Sequence, residues 1–441
     1  MTGTAESRLS VASGLISLII KVAGAVLSYA MVVALAHLLG AEDYGRFAFG
    51  LNAAIILAAI GNLGFSTGLM RYWPKYLVEG DKAAAKGVVI QAFELALLGG
   101  AGLAVLVWLL AIFAGQLGWT VDPTIFAVIG VLGLLINLGD MATNLLRAQG
   151  SVVVSMLPRD VLWRILIPLC AYAALHLGLG LSGAGALAIS AGILLMLTLW
   201  QMLYIRRYVL ALGAKVQAQK NFGRLRSSLI PLWLSGVIYA MIQQFDVVIV
   251  GSLLGKTEAG SYFAAQKTAM LLSLVLIAGG LVTAPQMAAL YHAKKHEALQ
   301  ALCRNLALAI AVVTAAGFVF LVILGKTLLE FFDPAFVSAY PILLIVGLGT
   351  MIDAVSGPNA YLMQMTDYEK PYLKIMAACY ACVLIAQFIL IPRMGSLGAA
   401  LASAGGVIAW NVAAIFVLRR RAGLDPSLLS LFLPPKLRAS P

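Results

Sequence analysis

The chain is poor in charged residues, and this shortage excludes broad classes of protein. Only 11% of its 441 residues are charged, whereas a soluble domain carries about 25%. Apolar residues make up 62%, and no soluble fold could bury so much apolar surface. The composition therefore excludes a cytosolic enzyme, a disordered protein and a DNA-binding domain. It leaves a polytopic helical membrane protein with no nucleic-acid partner.

Signatures of catalysis and of metal binding are also missing. There is no P-loop, no large outer loop for a catalytic domain, and only four cysteines. Cys379 and Cys382 lie in an apolar stretch, where cysteine usually acts as a small hydrophobe. His292 and His296 lack a third ligand for a metal. We predict no enzyme activity, no cofactor and no metal.

Long apolar runs dominate the rest of the sequence. A bilayer core needs about 20 apolar residues in a helix. Runs of this length predict twelve transmembrane helices, at 11–39, 47–70, 87–114, 124–146, 161–178, 183–205, 228–254, 261–290, 305–325, 338–364, 372–392 and 396–418. The first run is too long for a signal peptide, so we count it as a span.

The positive charges indicate an orientation. With the N-terminus inside, 23 of the 30 Lys and Arg residues fall on the cytoplasmic side and only four fall outside. This bias predicts that both termini are cytoplasmic. It also explains most of the net charge of +12 without any anionic partner.

An internal repeat divides the chain. A shift of 215 residues aligns Leu38-Leu39-Gly40 with Leu253-Leu254-Gly255, and it aligns Asp43 with Glu258. The same shift aligns Gly183-Ala184 with Gly398-Ala399. We predict two parallel six-helix repeats around a central cleft. The N-terminal half is 1–212, a basic cytoplasmic linker is 213–226, and the C-terminal half with a short cytoplasmic tail is 227–441.

These patterns resemble a known superfamily. Both halves contain the hairpin LLG-x-x-[DE]-x-G-x-[FY], and G-x-x-GA begins at Gly180 and at Gly395. Further matching features are Gln244-Phe245-Asp246 and Ala284-Pro285-Gln286. Together they resemble the multidrug/oligosaccharidyl-lipid/polysaccharide (MOP) flippases, most closely the bacterial branch that flips O-antigen and exopolysaccharide repeat units.

The resemblance implies a cavity lined by helices 1, 2, 7 and 8, where cations contact a lipid-linked pyrophosphate. Lys21 and Lys267 match such cations by helix and depth, and Arg164 is the third candidate. An ionised group inside the bilayer is costly and needs a partner or an aqueous cavity. The alternatives are a buried carboxylate partner or snorkelling to an interface.

Polar residues form stripes on helical faces. A sugar pathway is predicted at Asn52, Asn137, Asn144, Tyr239 and Gln243, and coupling-ion or gating roles at Glu94, Asp140, Asp246 and Asp353. A cationic cytoplasmic vestibule is predicted at Arg71, Arg147 and Arg159. Polar contacts between helices would explain the stripes equally well, and the positive-inside rule would explain most of the vestibule.

The resemblance thus predicts an inner-membrane flippase that moves an undecaprenyl-pyrophosphate-linked oligosaccharide by alternating access. Its other partners would be membrane lipids, a polysaccharide polymerase and chain-length proteins. A cation-coupled multidrug exporter and a polysaccharide polymerase or ligase are the alternatives. The glycan and the coupling ion, H⁺ or Na⁺ if any, stay open.

Overall fold

The protein is almost entirely helical. The computed structural model describes residues 2–117, 122–213, 216–220, 222–366 and 368–431, and no β-strand occurs among them. Within these ranges ten helices are long and apolar enough to cross a membrane. The chain is therefore an all-α, multi-pass membrane protein, as predicted.

Seven helices lie before the predicted linker. They are α1 (Thr2–Gly61), α2 (Phe65–Val78), α3 (Lys82–Gln116), α4 (Pro123–Ala148), α5 (Val152–Leu157), α6 (Trp163–His176) and α7 (Gly183–Ala211). A π-helical turn, Pro158–Leu162, joins α5 to α6, so that residues 152–176 form one continuous helical segment, called here the rod 152–176. Side chains cap the starts of three long helices, since Asp81, Asp122 and Ser182 each accept a backbone N–H of the first turn.

Eight further helices follow, and the first of them begins at Phe222, inside the predicted linker. They are α8 (Phe222–Leu253), α9 (Lys256–Met270), α10 (Leu274–His292), α11 (His296–Glu330), α12 (Tyr340–Ser356), α13 (Asn359–Gln364), α14 (Glu369–Met394) and α15 (Ser396–Val417). A 3₁₀ turn, Leu271–Ser273, connects α9 to α10. In the described residues, dividing α1 at its kink and counting the rod 152–176 once gives fifteen helical segments.

The predicted hairpin glycines mark the same turn in both repeats. Gly40 has φ +73° and ψ 170°, and Gly255 has φ +102° and ψ 170°. Positive φ is strained for residues with a Cβ, which explains the glycines. The extended ψ distinguishes both glycines from a left-handed helical cap. Gly180 and Gly395, also 215 residues apart, have φ +61° and +62°.

The acid of each hairpin binds the start of the sixth helix of its own repeat. Asp43 Oδ1 accepts the Gly183 N–H at 2.9 Å, and Glu258 Oε2 accepts the Ser396 hydroxyl at 2.5 Å. Two carboxylates at equivalent positions thus both bind the start of a helix, one through a backbone N–H and the other through a side-chain hydroxyl. This contact gives the [DE] position of the hairpin a structural role in each repeat.

The prediction of one continuous span over 47–70 is wrong. Helix α1 ends at Gly61 and α2 starts at Phe65. Between them, the Asn62 side chain accepts the Gly64 N–H at 2.7 Å, and Gly64 has φ +81°. The Trp233 indole of α8 donates to the Ile60 carbonyl at 2.9 Å. It thereby satisfies a carbonyl freed by the helix end.

The chain divides into two compact units, 1–251 and 252–441. In the first unit α4 is central, since it packs against α1, α2, α3 and α7. In the second unit α12 packs against α9, α11 and α15. The repeat boundaries 1–212, 213–226 and 227–441 stay a prediction.

A segment that follows each repeat closes on that repeat's third helix. In the linker, the Gln219 N–H binds the Ala83 carbonyl at 3.0 Å, and Lys86 Nζ donates to the Val216 carbonyl at 2.8 Å. In the C-terminal tail, Gln300 of α11 bonds both to the N–H and to the carbonyl of Asp425, at 2.8 and 2.5 Å. The linker contacts were not visible in the sequence.

Candidate functional site

A polar cavity of about 330 Å³ lies inside the first unit. Its volume is at the lower end of the range for sites that bind small molecules. Ten residues line it, and nine of them are polar or charged: Lys21, Asp140, Thr143, Asn144, Arg147, Ser155, Arg159, Asp160 and Arg164, with Met156 as the tenth. They come from α1, α4, the rod 152–176 and its π turn.

Helix α4 supplies one wall of the cavity. Asp140, Thr143, Asn144 and Arg147 follow one another at helical spacing, so they share one face. Apolar residues on the other faces of α4 bury it among its neighbours. The polar stripe is therefore fixed in direction.

The π turn and the start of α6 contribute three more charged residues to the cavity. The Trp163 N–H donates to the Pro158 carbonyl, five residues back, which closes the π turn. Its indole also donates to the Ser190 carbonyl of α7 at 2.9 Å. The turn therefore holds a defined position, and Arg159, Asp160 and Arg164 all line the cavity.

Two ion pairs join these walls. Arg159 pairs with Asp140 of α4, and Arg164 pairs with Asp160 at 3.5 Å. Arg164 also donates to the Gly24 carbonyl of α1. A Cβ at Gly24 would lie only 2.9 Å from the Asp160 carbonyl oxygen. Helix α1 can approach the π turn this closely because glycine lacks a Cβ.

The other two cations have no such partner. Lys21 and Arg147 make no ion pair within the described part of the chain. The Nε–H of Arg147 is buried and finds no acceptor among the described residues. Four cations and two carboxylates leave two positive charges uncompensated in the cavity.

The structure thus brings together residues to which the sequence analysis gave four different roles: Lys21, Arg164, Asp140, Asn144, Arg147 and Arg159. Asn144 additionally donates to the Ser66 hydroxyl at 2.6 Å. Asn137, in the same predicted stripe, instead donates to the Ala96 carbonyl of α3 at 3.2 Å. Asn52 is also buried, and it donates to the Ala48 carbonyl of its own helix at 2.7 Å. Neither Asn137 nor Asn52 lines the cavity.

The remaining predicted residues of the first unit lie elsewhere. Tyr239 and Gln243 of α8 bond to each other at 3.2 Å, and Tyr239 is 61% exposed. Glu94 forms an ion pair at 2.6 Å with Lys220 of the linker. Asp246 is buried, and Arg71 is exposed over the Tyr72 ring.

Two predicted residues belong to the second unit. The Asp353 carboxylate accepts from Asn411 at 2.7 Å, and Asn411 accepts from Asn359 at 2.9 Å. Lys267 Nζ lies 5.0 Å from the centre of the Phe263 ring.

Comparison with known proteins places the chain in a family. The family described as "Polysaccharide biosynthesis protein" matches residues 10–291, which is more than half of the chain. The chain belongs to this family. A second family, MatE, matches residues 231–389. No match was found among the curated proteins.

Solved structures share the fold of this polysaccharide biosynthesis family member. An inward-facing multidrug resistance MATE family transporter of the MOP superfamily gives a TM-score of 0.67 at 15% identity, with 92% of this chain and 94% of that chain covered. A MATE in the straight conformation gives 0.64 at 14% identity, with 93% and 95% covered.

A third structure is a MOP superfamily transporter from Pyrococcus furiosus, described as having a binding pocket of reversed polarity. It gives a TM-score of 0.61 at 15% identity, with 92% and 93% covered. At such identities the likeness shows the fold alone. Together with the two families, it confirms that the chain is a transporter of the MOP superfamily.

Sequence reasoning missed several parts of the cavity of this transporter, namely Asp160, Thr143, Ser155 and the close approach of Gly24. Arg159 and Arg164 are five residues apart, and in a regular α-helix they would point to different sides. Pro158, which lacks an N–H, is the one local signal for an irregular turn at this position.

Proposed function

We propose that this transporter is a flippase for an undecaprenyl-pyrophosphate-linked oligosaccharide. The observation that supports it best is the cavity with two uncompensated positive charges. A diphosphate that is esterified at both ends keeps one ionised oxygen on each phosphate. Its two negative charges equal the excess positive charge of the cavity, and the polyprenyl tail would stay in the bilayer.

Lys21 and Arg147 are the proposed donors to the diphosphate. Neither forms an ion pair in the described residues, and the buried Nε–H of Arg147 needs an acceptor. An unsatisfied buried donor costs about 1–3 kcal/mol. A phosphate oxygen would remove this cost. The neutral side chains of Thr143 and Asn144 offer hydrogen bonds to the first sugar.

Several parts of the proposal rest on the resemblance to MOP flippases. Apart from the cytoplasmic termini, which rest on the distribution of Lys and Arg, these parts are the bacterial inner membrane, alternating access between the two repeats, and cooperation with polymerase and chain-length proteins. A contribution of Lys267 to diphosphate binding, and coupling roles for Asp246 and Asp353, are further predictions of this kind.

The test is complementation of a strain that lacks this gene. We expect Lys21→Ala and Arg147→Ala to abolish most surface polysaccharide, and Lys21→Arg to keep a substantial part of it. Lys326→Ala is the matched control, because Lys326 lies over the Tyr340 ring in the other unit. Normal polymer in both alanine variants, at normal protein level, would refute the proposal.

A cation-coupled multidrug exporter is the second candidate. The MatE match over residues 231–389 and the MATE structures favour it. Against it, a cavity with excess positive charge would repel hydrophobic cations as substrates. A drug-susceptibility panel on the deletion strain separates the two: hypersensitivity with unchanged polysaccharide would support the exporter.

A further inference from the structure

The two carboxylates of the cavity, Asp140 and Asp160, pair with two of its three arginines. Asp140 pairs with Arg159 across two helices, and Asp160 pairs with Arg164 within one turn. Neither pair is sealed from the cavity. The side chains of the first pair are 34% and 27% exposed, and those of the second pair are 21% and 22% exposed.

Partial exposure means that an entering anion can compete with the carboxylates. A guanidinium has five N–H donors in a planar fork, and phosphate and carboxylate both fit that fork. An anion in the cavity therefore meets two free cations, Lys21 and Arg147, and two arginines that already hold a carboxylate. Without the carboxylates the same cavity would contain four uncompensated charges.

A transporter must release what it binds, so its affinity has to stay moderate in the releasing state. Four uncompensated cations would favour anions of higher charge, such as a polyprenyl diphosphate that lacks its sugar. Two uncompensated cations favour a dianion. The carboxylates thus suit discrimination by charge as well as release.

We propose that Asp140 and Asp160 are specificity-determining residues: by pairing with Arg159 and Arg164, they limit the cavity to a dianionic diphosphate diester and permit its release. This inference rests on the proposed function. It adds that sugar-bearing lipid is distinguished from sugar-free lipid by charge, before any contact with the glycan. The π turn is the device that positions Asp160, because it brings Arg159, Asp160 and Arg164 to one cavity.

The test measures binding to the full-length protein in nanodiscs. The probes are farnesyl-diphosphate-linked N-acetylglucosamine, a diester with two negative charges, and farnesyl diphosphate, which carries about one more. For Asp140→Asn and Asp160→Asn we expect about tenfold tighter binding of the diester, because each change removes one negative charge a few ångströms from the ligand. Farnesyl diphosphate should gain more than the diester, so the wild-type preference for the diester should fall.

Two further variants separate charge from packing. Asp160→Glu keeps the charge and should keep the wild-type preference. Glu42→Gln is the matched control, since Glu42 pairs with Arg46 at 2.6 Å on the surface, outside the cavity. It should leave both affinities unchanged.

The outcomes are distinguishable. If the wild-type protein binds the diester but both Asn variants, with unaltered thermal unfolding, bind it equally or more weakly, the inference is refuted and the proposed function stands. If the wild-type protein binds neither probe, the proposed function fails and the inference fails with it. If an Asn variant does not fold, the salt dependence of diester binding is compared between Asp160→Glu and the wild type. Rising salt should weaken binding equally in the two proteins, and a different salt dependence refutes the role of charge.

Discussion

Replacing Gly24 by alanine should damage the cavity from the side of α1. Gly24 lies one helical turn after Lys21, where α1 meets the π turn. An added Cβ would lie 2.9 Å from the Asp160 carbonyl oxygen, 3.0 Å from Arg164 Nη1 and 3.1 Å from the Asp160 Cβ. Ordinary contacts of a Cβ begin at 3.4 Å. Two of the three atoms belong to Asp160, so α1 and the π turn have to move apart.

The size of the effect follows from two opposing terms. Overpacking of this kind costs about 1–3 kcal/mol. Alanine in a helix gains about 0.5–1 kcal/mol over glycine. The net loss of folding stability is therefore up to about 2.5 kcal/mol. Strain of about 1–3 kcal/mol that acts on the site itself corresponds to about 5- to 150-fold weaker binding of the diphosphate diester.

The assay compares Gly24→Ala with Gly102→Ala. Gly102 lies in the helical interior of α3, and a Cβ added there would meet no atom within 4 Å. Thermal unfolding of purified protein should show Gly24→Ala less stable than wild type, and Gly102→Ala equal to it or more stable. Diester binding and surface polysaccharide should fall for Gly24→Ala alone. Equal stability and equal binding of the two variants would refute the close approach of α1 to the π turn.

Two other predictions concern hydrogen bonds away from the cavity. Asp43→Ala and Glu258→Ala should each lower stability by about 0.5–2 kcal/mol, because each removes a bond to the start of a helix; thermal unfolding of the purified variants checks this, and an effect at only one position would contradict the structural equivalence. Asn411→Leu should lower the free energy of unfolding by about 1–3 kcal/mol, because it removes the hydrogen bonds that Asn411 makes with the Asp353 carboxylate and with the Asn359 amide. Asn411→Asp is its polar comparison in the same unfolding assay, and a fully stable Asn411→Leu protein would contradict the hydrogen-bonded chain.

Much of the fold could be read from local sequence. Apolar runs of bilayer length predicted the helices, and the glycines at Gly40 and Gly255 predicted the positions of the hairpins. The break after Gly61 was missed because the apolar run continues through it. Hydropathy averaged over about 20 residues does not reveal a turn of three residues.

The candidate site was predictable only in part. Lys21 and Arg164, which were singled out because an intramembrane charge requires a polar surrounding, line one cavity, whereas Lys267, which was grouped with them, lies in the second unit. Their role in binding a diphosphate stays a prediction. Asp160 was overlooked because Arg159 and Asp160 are neighbours in sequence, and neighbours on a regular helix face different directions. The π turn has more residues per turn than an α-helix, so the regular angular spacing of side chains does not hold there.

The sequence by itself determined the membrane-spanning helices, the repeat and its hairpins. These depend on hydropathy and on turn residues, which act over a few to about 20 neighbouring residues. Only the tertiary structure decided which charges meet. Lys21, Asp140 and Arg164 are far apart in the chain and become neighbours through the packing of α1, α4 and the rod 152–176. Packing likewise turned Asn137 towards α3 and Asn144 towards the cavity, although both belong to one polar stripe. Helical spacing defines a face, and the neighbouring helices decide whether that face meets protein or open space.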